Sequence, residues 1–234
     1  MDLFRELKEL ADSLGIDYLG VADTAPVVEA IREQGGEMVA GFPRAISIGI
    51  ILPHSVVNRL PDRRERDVAI NYLHHAYDVI NARLDQATSR LAALLQRHGY
   101  RALPIPAKEH HDDERLCASF SHKMGAHLAG LGWIGKSCLL VTPEVGPRVR
   151  WSTVLADASL EPTGEPLDER CGKCRECVEI CPVGAFTGRP FNEREPRDVR
   201  YDAHACRKYF IELEEAGGLP VCGLCLYVCP FGRK

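Results

Sequence analysis

Eight cysteines between residues 171 and 229 carry the most chemical information in the chain. They fall in two runs, CGKCRECVEICP and CGLCLYVCP, with one further cysteine between the runs. Their positions are Cys171, Cys174, Cys177, Cys181, Cys206, Cys222, Cys225 and Cys229. The first run has the C-x2-C-x2-C-x3-C-P spacing of bacterial iron–sulfur proteins. The spacing therefore predicts two 4Fe–4S clusters.

The ligands of each cluster follow from the rule that the fourth cysteine of such a run crosses to the other cluster. Cluster one takes the first three cysteines of the first run and Cys229 of the second. Cluster two takes Cys222, Cys225 and the crossing Cys181. The second run is one cysteine short, so Cys206 is predicted as the last ligand of cluster two.

Zinc is the main alternative for these cysteines. Two C-x2-C pairs can build a four-thiolate zinc site, but that site would leave four of the eight thiolates unused. A triple C-x2-C-x2-C also differs from a zinc ribbon, which offers its cysteines in pairs. Disulfides are disfavoured because many cysteines in a cytoplasmic protein indicate metal or redox chemistry. The pattern favours iron–sulfur clusters.

Composition sets the outer limits of the interpretation. The 234 residues allow one large or two modest domains, and the net charge of −4 gives no whole-chain electrostatic footprint for nucleic acid. No run of apolar residues is long enough for a membrane span. The first residues, MDLFRELKELADSLG, lack the features of a signal peptide, so the expected compartment is the cytoplasm.

The residues before position 160 alternate helical and strand patterns. Apolar spacing predicts helices over residues 2–14, 26–34, 64–98 and 122–128, with glycines 35 and 36 ending the second. Strands are predicted over 16–23 and 45–52, from Tyr100, and in SCLLVTP and RVRWSTVLAD. Residues 106–120 are predicted to form a loop.

These elements indicate an α+β chain of two domains. Residues 1–160 form the mixed α/β domain, and residues 161–234 form a two-cluster, ferredoxin-like domain behind the linker EPTGEPLDE. A two-cluster ferredoxin needs little more than the cysteine-rich segment, so the first domain must have another role.

The segment AGLGWIGK is the densest feature of that first domain. Gly130, Gly132 and Gly135 allow positive φ or close approach of the backbone to a ligand. They also match G-x-G-x-x-G, but the dinucleotide fingerprint must follow a strand and open a helix. Here a predicted helix precedes the segment and a strand follows it, so we interpret that match as accidental.

The order of these motifs resembles a known family. AGLGWIGK, a strand pair, a linker, CGKCRECVEICPVGAF, an isolated cysteine and CGLCLYVCP look like the epoxyqueuosine reductases, most strongly from Ala129 to Pro230. The resemblance implies a nitroreductase-like first domain that carries cobalamin, and electrons that pass from the clusters to cobalt. It also implies action on an epoxide in a tRNA anticodon. The stretch TPEVGPRVR is similar to reductive dehalogenases, which use the same cofactors on carbon–halogen bonds.

Departures from the family pattern leave the substrate open. The family's acidic residue, about thirteen positions before AGLGW, falls near Leu116 here, whereas Asp112, Asp113 and Glu114 lie out of register. The family has an Asp-Tyr-His sequence on its long helix, and only the tyrosine is present here, as Tyr77. The family's C-terminal helical repeats, which help to bind tRNA, are not within these 234 residues. A small molecule and a modified nucleoside, with or without tRNA, both remain candidates.

The candidate site residues follow from these arguments. The candidate catalytic residues are Tyr77, His111 and His122, with His110 as a further possible proton donor. Packing is the alternative role for Tyr77, and surface hydrogen bonding for the histidines. The candidate cobalamin-binding residues are Gly130, Gly132, Trp133, Gly135 and Lys136. Lys136 would either meet an anionic group or be solvated, and Trp133 would be either one wall of the cofactor pocket or a structural plug. Cys117 and Cys138 are expected to be spare thiols.

Two functions remain from the sequence. The first is a reductase in which an external low-potential donor, of ferredoxin or flavodoxin type, feeds two clusters and a bound cobalamin. The second is an electron-transfer or reductive-activation protein without cobalamin, whose first domain docks a partner.

Overall fold

The computed structural model describes residues 2–108 and 112–233 and divides the chain into two compact units. The sheet unit comprises Met1–Ile50, Asn81–Gly132 and Arg150–Leu167. The cysteine unit comprises Ile51–Ile80, Trp133–Val149 and Asp168–Lys234. Each unit is therefore assembled from three separate segments of the chain.

A four-stranded sheet organises the sheet unit. Its strands β1 (Tyr18–Asp23), β2 (Arg44–Ile51), β3 (Ala102–Ile105) and β6 (Val149–Ala156) have the spatial order β1-β2-β6-β3. β1 pairs antiparallel with β2, and β3 pairs antiparallel with β6. β2 is buried along nearly its whole length, which explains its continuous apolar sequence AISIGII.

Four helices accompany this sheet, namely α1 (Leu3–Ser13), α2 (Val28–Ala40), α5 (Ile80–Arg97) and α6 (His122–Leu128). Asp2 caps α1 by accepting a hydrogen bond from the Phe4 amide at 3.2 Å. A core cluster of buried residues comprises Ala22, Val27, Ile31, Val39, Phe42, Ala45, Ile105, Phe120, Leu128, Ala129 and Leu155. This core gives the unit its own apolar interior.

Short elements make up the cysteine unit. Its helices are α3 (His54–Val57), α4 (Arg66–Tyr72), α7 (Glu176–Glu179), α8 (Ala203–Glu215) and α9 (Leu224–Tyr227), with a π-helix over Leu73–Val79. A hairpin pairs β4 (Trp133–Ile134) with β5 (Leu140–Val141). Short 3-10 turns cover Leu60–Asp62, Arg197–Val199 and Pro230–Gly232, and one more, Ala25–Val27, precedes α2 in the sheet unit.

The mixed α and β character predicted from the sequence is confirmed, whereas the nitroreductase-like arrangement stays a prediction. The glycine stop predicted for the second helix is confirmed, because Gly36 leaves helical geometry with a φ of 78°. A second helical stretch beyond this kink, which was not predicted, continues α2 to Ala40. Gly35 permits close approach, because a Cβ there would overlap the Ser119 carbonyl.

The long helix predicted over residues 64–98 begins at Arg66 and is interrupted. The π-helix Leu73–Val79 separates α4 from α5. The apolar residues of this segment recur near a 3.6-residue period, so their spacing predicted one continuous α-helix without a π-helical interruption. Helical segments of this kind occur frequently at functional sites.

The compact units differ from the boundary predicted near residue 160. The cysteine-rich segment recruits residues 51–80 and 133–149, because its own short helices bury few large side chains. Gly223 shows this packing, since a Cβ on it would lie 2.8 Å from Leu60 Cδ1 and 3.1 Å from the Tyr72 hydroxyl. Within the described residues, no helix is both long and apolar enough to cross a membrane.

Candidate functional site

The four cysteines predicted for cluster one lie near one another in the cysteine unit. Burial raises the pKa of the Cys177 thiol to about 11, and Cys171, Cys229 and Cys174 raise it further through their charges. These charge interactions require the four sulfur atoms to share one neighbourhood. The chain therefore gathers thiols from α7, its preceding loop and the C-terminal segment.

The four cysteines predicted for cluster two form a second group. Burial raises the pKa of Cys225, and the charges of Cys222, Cys206 and Cys181 raise it further. Cys177 of the first group also acts on Cys225, so the two groups are neighbours within the unit. The predicted assignment thus agrees with the placement of the sulfur atoms, although the ligands themselves stay a prediction.

Backbone geometry shapes the loop of the first cysteines. The Cys174 amide donates to the Cys171 carbonyl at 2.9 Å, and Gly172 between them has a φ of 50°. A left-handed residue at this position favours glycine. The Ala185 amide donates to the Cys181 sulfur at 3.3 Å, a contact of the kind that tunes cluster potentials.

No three histidine, cysteine, aspartate or glutamate side chains within residues 2–108 and 112–233 are grouped so as to hold a single metal ion. Evidence for or against iron–sulfur clusters therefore comes from the two cysteine groups and from the residues around them. Each cysteine group offers four thiols, which is the donor set of a 4Fe–4S cluster. The charges and polar atoms around the first group give a further test.

Lys136 places a buried positive charge beside the first group. Its side chain is 7% exposed, and its ammonium donates to the carbonyls of Gly172 and, at 3.2 Å, of Cys174. No carboxylate of the described residues forms an ion pair with it. A buried cation without a counter-charge is costly, and a thiolate-bound cluster would supply negative charge here.

Arg148 is a second buried cation beside the first cysteine group, and it was not among the candidate residues predicted from the sequence. It is 1% exposed, donates to Asn58 Oδ1 at 2.8 Å, and its Nε has no hydrogen-bond partner among the described residues. Burial lowers the pKa of its guanidinium, while the charges of Tyr227 and Cys229 raise it. In the sequence, Arg148 stands between Pro147 and Val149 at the start of a predicted strand, where nothing local indicates that it is buried.

Trp133 is packed against the same group. Its ring is fully buried, edge-on to Phe231 at 4.8 Å, with the Arg170 guanidinium 5.5 Å from its centre. The indole N–H has no hydrogen-bond partner among the described residues. Burial raises the pKa of the Cys171 thiol to about 11, and the nearby indole N–H opposes this rise. A cluster-bound thiolate at Cys171 would give this buried N–H an acceptor.

The glycines predicted to approach a ligand approach other parts of the chain. Gly130 has a φ of 77°, and a Cβ on it would lie 2.9 Å from the Glu165 carbonyl oxygen. In the cysteine unit, a Cβ on Gly135 would lie 2.9 Å from Val141 and 3.4 Å from the Cys171 sulfur. The Gly132 carbonyl accepts a hydrogen bond from His127 Nδ1 at 3.0 Å. The close contacts account for glycine at positions 130 and 135 without a ligand, whereas the carbonyl contact at position 132 does not require a glycine.

The side chains of Trp133 and Lys136 therefore do not fit the cobalamin role predicted for them. The faces of the tryptophan ring are covered, and the ammonium is bound to carbonyls of the cysteine loop. Cobalamin binding by this segment stays a prediction. If it occurs, the backbone of the segment would have to contact the cobalamin, since these two side chains are engaged elsewhere.

Tyr77 lies in the π-helix of the cysteine unit. Its half-buried ring meets Tyr72 edge-on, with the centroids 5.7 Å apart. Packing was the alternative role for this residue, and this contact accords with it. The π-helix itself is the feature that keeps a functional role open.

His122 is held by two hydrogen bonds in the sheet unit, whereas His110 and His111 lie outside the described residues. His122 Nε2 lies 3.1 Å from the Pro106 carbonyl oxygen, and Nδ1 lies 3.0 Å from Thr153 Oγ1. A carbonyl only accepts, so Nε2 carries the proton and the threonine hydroxyl donates to Nδ1. Burial lowers the pKa of His122 to about 4, so the imidazole is neutral at pH 7.

This environment predicts an acid-sensitive fold. The unfolded chain binds a proton at His122 near pH 6.5 and the folded chain only near pH 4, so stability falls as the pH drops between these values. The loss reaches up to about 3 kcal/mol. His122→Gln should flatten the dependence of the melting temperature on pH across this range, measured by circular dichroism.

The exposed His74 provides the matched control for this measurement. His74→Gln should leave the pH profile of the melting temperature like that of the parent. Parallel profiles for the parent and His122→Gln would show that His122 does not couple folding to pH.

Comparisons with known proteins agree with the cysteine pattern. Residues 170–232 match the family described as a 4Fe-4S double cluster binding domain. The epoxyqueuosine reductase of Pseudomonas aeruginosa is 29% identical over 233 residues, which cover 92% of this chain and 58% of the relative. That of Escherichia coli is 37% identical over 121 residues, covering 46% of this chain and 29% of the relative.

Solved structures show the same fold. A catabolic reductive dehalogenase, NpRdhA, superposes with a TM-score of 0.66 at 20% identity over 97% of this chain and 31% of its own. The epoxyqueuosine reductase from Streptococcus thermophilus has a TM-score of 0.61 at 17% identity over 100% of this chain and 67% of its own.

These matches confirm the resemblance to epoxyqueuosine reductases that the motifs predicted. They also support iron–sulfur clusters as cofactors of this chain. The chain spans 58% and 29% of the lengths of the two curated relatives compared here.

Proposed function

We propose that the protein is an iron–sulfur reductase that passes electrons through two 4Fe–4S clusters to a bound cobalamin. The named relatives are epoxyqueuosine reductases, and residues 170–232 match a double-cluster domain. Cys171, Cys174, Cys177 and Cys229 would hold cluster one, and the other four cysteines of the two runs would hold cluster two.

One observation carries the iron–sulfur part of this proposal. Lys136 and Arg148 are buried cations beside the predicted ligands of cluster one, and neither forms an ion pair with a carboxylate of the described residues. Buried charges are normally paired or hydrogen-bonded to compensating groups. A cluster bound by four thiolates would compensate both, and the cations would in turn favour its reduction.

Cobalamin is the finer part of the proposal and rests on the family resemblance. One related dehalogenase structure is titled for B12-dependent dehalogenation, with a TM-score of 0.68 at 20% identity. Cobalamin would supply a strongly reducing cobalt centre to the reaction. Since the predicted side chains do not fit it, we derive no step through this group.

The substrate class is proposed as a modified nucleoside. A structural relative with a TM-score of 0.60 was solved with an epoxyqueuosine-modified tRNA stem loop. For this chain, a modified nucleoside fits the resemblance better than a halogenated compound, because the curated relatives compared above are epoxyqueuosine reductases.

The second candidate is an electron-transfer protein without cobalamin. It is favoured by the covered ring of Trp133 and by the engaged ammonium of Lys136. Both side chains support the cysteine loop and leave no side-chain surface for a corrin.

Metal content and cobalamin uptake distinguish the two candidates. We expect the anaerobically reconstituted protein to contain about eight iron atoms and to bind about one cobalamin, seen as a change in the visible spectrum. The same titration on protein treated with an iron chelator controls for loss of the fold. Full iron content without any cobalamin binding, in oxidising and in reducing buffer, would leave the electron-transfer protein as the function.

A further inference from the structure

An arginine-rich groove in the cysteine unit is not used by the proposed function. Its cavity volume is about 490 Å³, and its lining includes Arg63, Arg64 and Arg66. Tyr209 and Leu213 of α8 also line it. The described residues that line it include these three arginines and no aspartate or glutamate, whereas the exposed carboxylates of Asp67, Glu214 and Glu215 lie beside the lining.

The local ion pairs leave these arginines unneutralised. The carboxylates of Asp62 and Glu65 both pair with Arg59, at 3.4 Å and 3.2 Å. Among the described residues, none pairs with Arg63, Arg64 or Arg66. Arg64 and Arg66 are exposed, so their charges are available to a partner.

Arg63 is fixed in the wall of the groove. It is half-buried, its guanidinium donates to the Tyr209 hydroxyl at 3.4 Å, and its Nε is buried without a partner among the described residues. This contact ties the arginine segment to α8. The charge of Arg63 therefore has a defined position in the groove, while Arg64 and Arg66 extend into solvent.

The groove lies against the predicted ligands of cluster two. The helix α8 carries Cys206, and the lining residue Val221 directly precedes Cys222. Leu60 and Tyr72, on either side of the arginine segment, both contact the position of Gly223 between Cys222 and Cys225. By contrast, Gly135 and Lys136 contact the loop of cluster one. The groove is thus at the cluster-two end of the unit.

We propose that this groove is the docking site of an acidic, low-potential electron-carrier protein. The inference rests on the proposed electron path through two clusters and adds its point of entry. The reduced carrier gives up one electron and is oxidised, cluster two gains that electron, and no bond is formed or broken. Complementary charge speeds such encounters and selects the partner.

An acidic protein fits the groove better than a nucleic acid. Ile70, one turn after Arg66, is 47% exposed, and the groove itself is lined by Leu213, Leu219 and Val221. Apolar side chains within a charged rim are typical of protein interfaces. Single-stranded RNA is bound chiefly by stacking on exposed aromatic rings, whereas Tyr209 is half-buried and bonded to Arg63.

The test uses Arg64→Glu/Arg66→Glu, since both residues are exposed and should tolerate the change. Binding of an oxidised, acidic bacterial flavodoxin to the holoprotein is measured by surface plasmon resonance at several salt concentrations. Reduction of the clusters by reduced flavodoxin is followed by stopped-flow absorbance. We expect the variant to lose about tenfold or more in affinity and in rate, together with most of the salt dependence.

The matched control is Arg90→Glu/Arg97→Glu, which makes the same change of net charge at exposed positions of α5. It should stay within about twofold of the parent, since neither residue lines the groove and exposed charges outside an interface are largely screened. Equal losses in the two variants, or no binding of flavodoxin or of an acidic ferredoxin by the parent, would overturn the docking site.

Two further measurements separate this proposal from others. A fluorescent anticodon stem-loop RNA that loses affinity for the groove variant, while flavodoxin binding is unchanged, would assign the groove to RNA and overturn the proposal. Reduced methyl viologen should reduce the clusters of all three proteins at equal rates. A parent that contains no reducible iron would refute the proposed function, whereas flavodoxin binding would still report on the groove.

Discussion

Cys206→Ala should remove about half of the bound iron, from about eight atoms per chain to about four. Cys206 lies with Cys222, Cys181 and Cys225, and no other described cysteine is assigned to this group. Loss of one thiolate leaves cluster two with three ligands, whereas cluster one keeps all four. Iron and sulfide are measured after anaerobic reconstitution, and paramagnetic resonance of the reduced protein should change from two interacting clusters to one.

Cys138→Ala is the control for this prediction. Cys138 is buried in the same unit, and its sulfur accepts a long hydrogen bond of 3.8 Å from Arg200. It belongs to neither group of predicted ligands, so iron content should equal that of the parent. If Cys206→Ala also keeps the iron content of the parent, another donor completes cluster two.

Removal of iron should unfold the whole cysteine unit and leave the sheet unit folded. Clusters that form only in the folded state contribute directly to its stability, and the helices of this unit are too short to be stable alone. Hydrogen exchange should therefore rise in residues 54–80 and 133–149 together with residues 168–233. The core of the sheet unit, including β2, should keep its protection.

The outcome of this experiment also decides where the folding units divide. Residues 54–80 precede the predicted boundary near residue 160 but belong to the cysteine unit by compactness. Protection in 54–80 that survives iron removal would favour the boundary at 160. Uniform exchange through all of the described residues would contradict both divisions. Holoprotein in the same buffer provides the reference.

Local sequence patterns were sufficient to predict the features in which ligand residues or buried residues recur at regular intervals along the chain. The cysteine spacing predicted the two groups of thiols that the structure brings together, because the geometry of a cluster restricts the intervals between its ligands. The continuous apolar run of β2 and the apolar stripe of α1 predicted those elements to within a few residues. In each case, the determining interaction lies within the segment or recurs at a fixed interval.

The end of α2 and the interruption of the long helix depend on contacts with residues that are distant in the sequence. Gly36 interrupts the helix as predicted, but the second helical stretch to Ala40 and the approach of the Ser119 carbonyl to Gly35 were not predicted. The π-helix Leu73–Val79 likewise has no apolar period of its own. Propensity describes a residue in isolation, whereas these outcomes depend on what packs against it.

The sequence by itself determined the donor chemistry, the classes of the elements and the family resemblance. Only the tertiary structure decided that Lys136 and Arg148 are buried cations beside the cysteines, that the Trp133 ring is fully buried, and that Arg63 lines a groove near Cys222. The physical reason is that thiolate ligation is encoded in residue type and spacing. Burial, charge pairing and access depend on segments that are far apart in the chain and meet only when it folds.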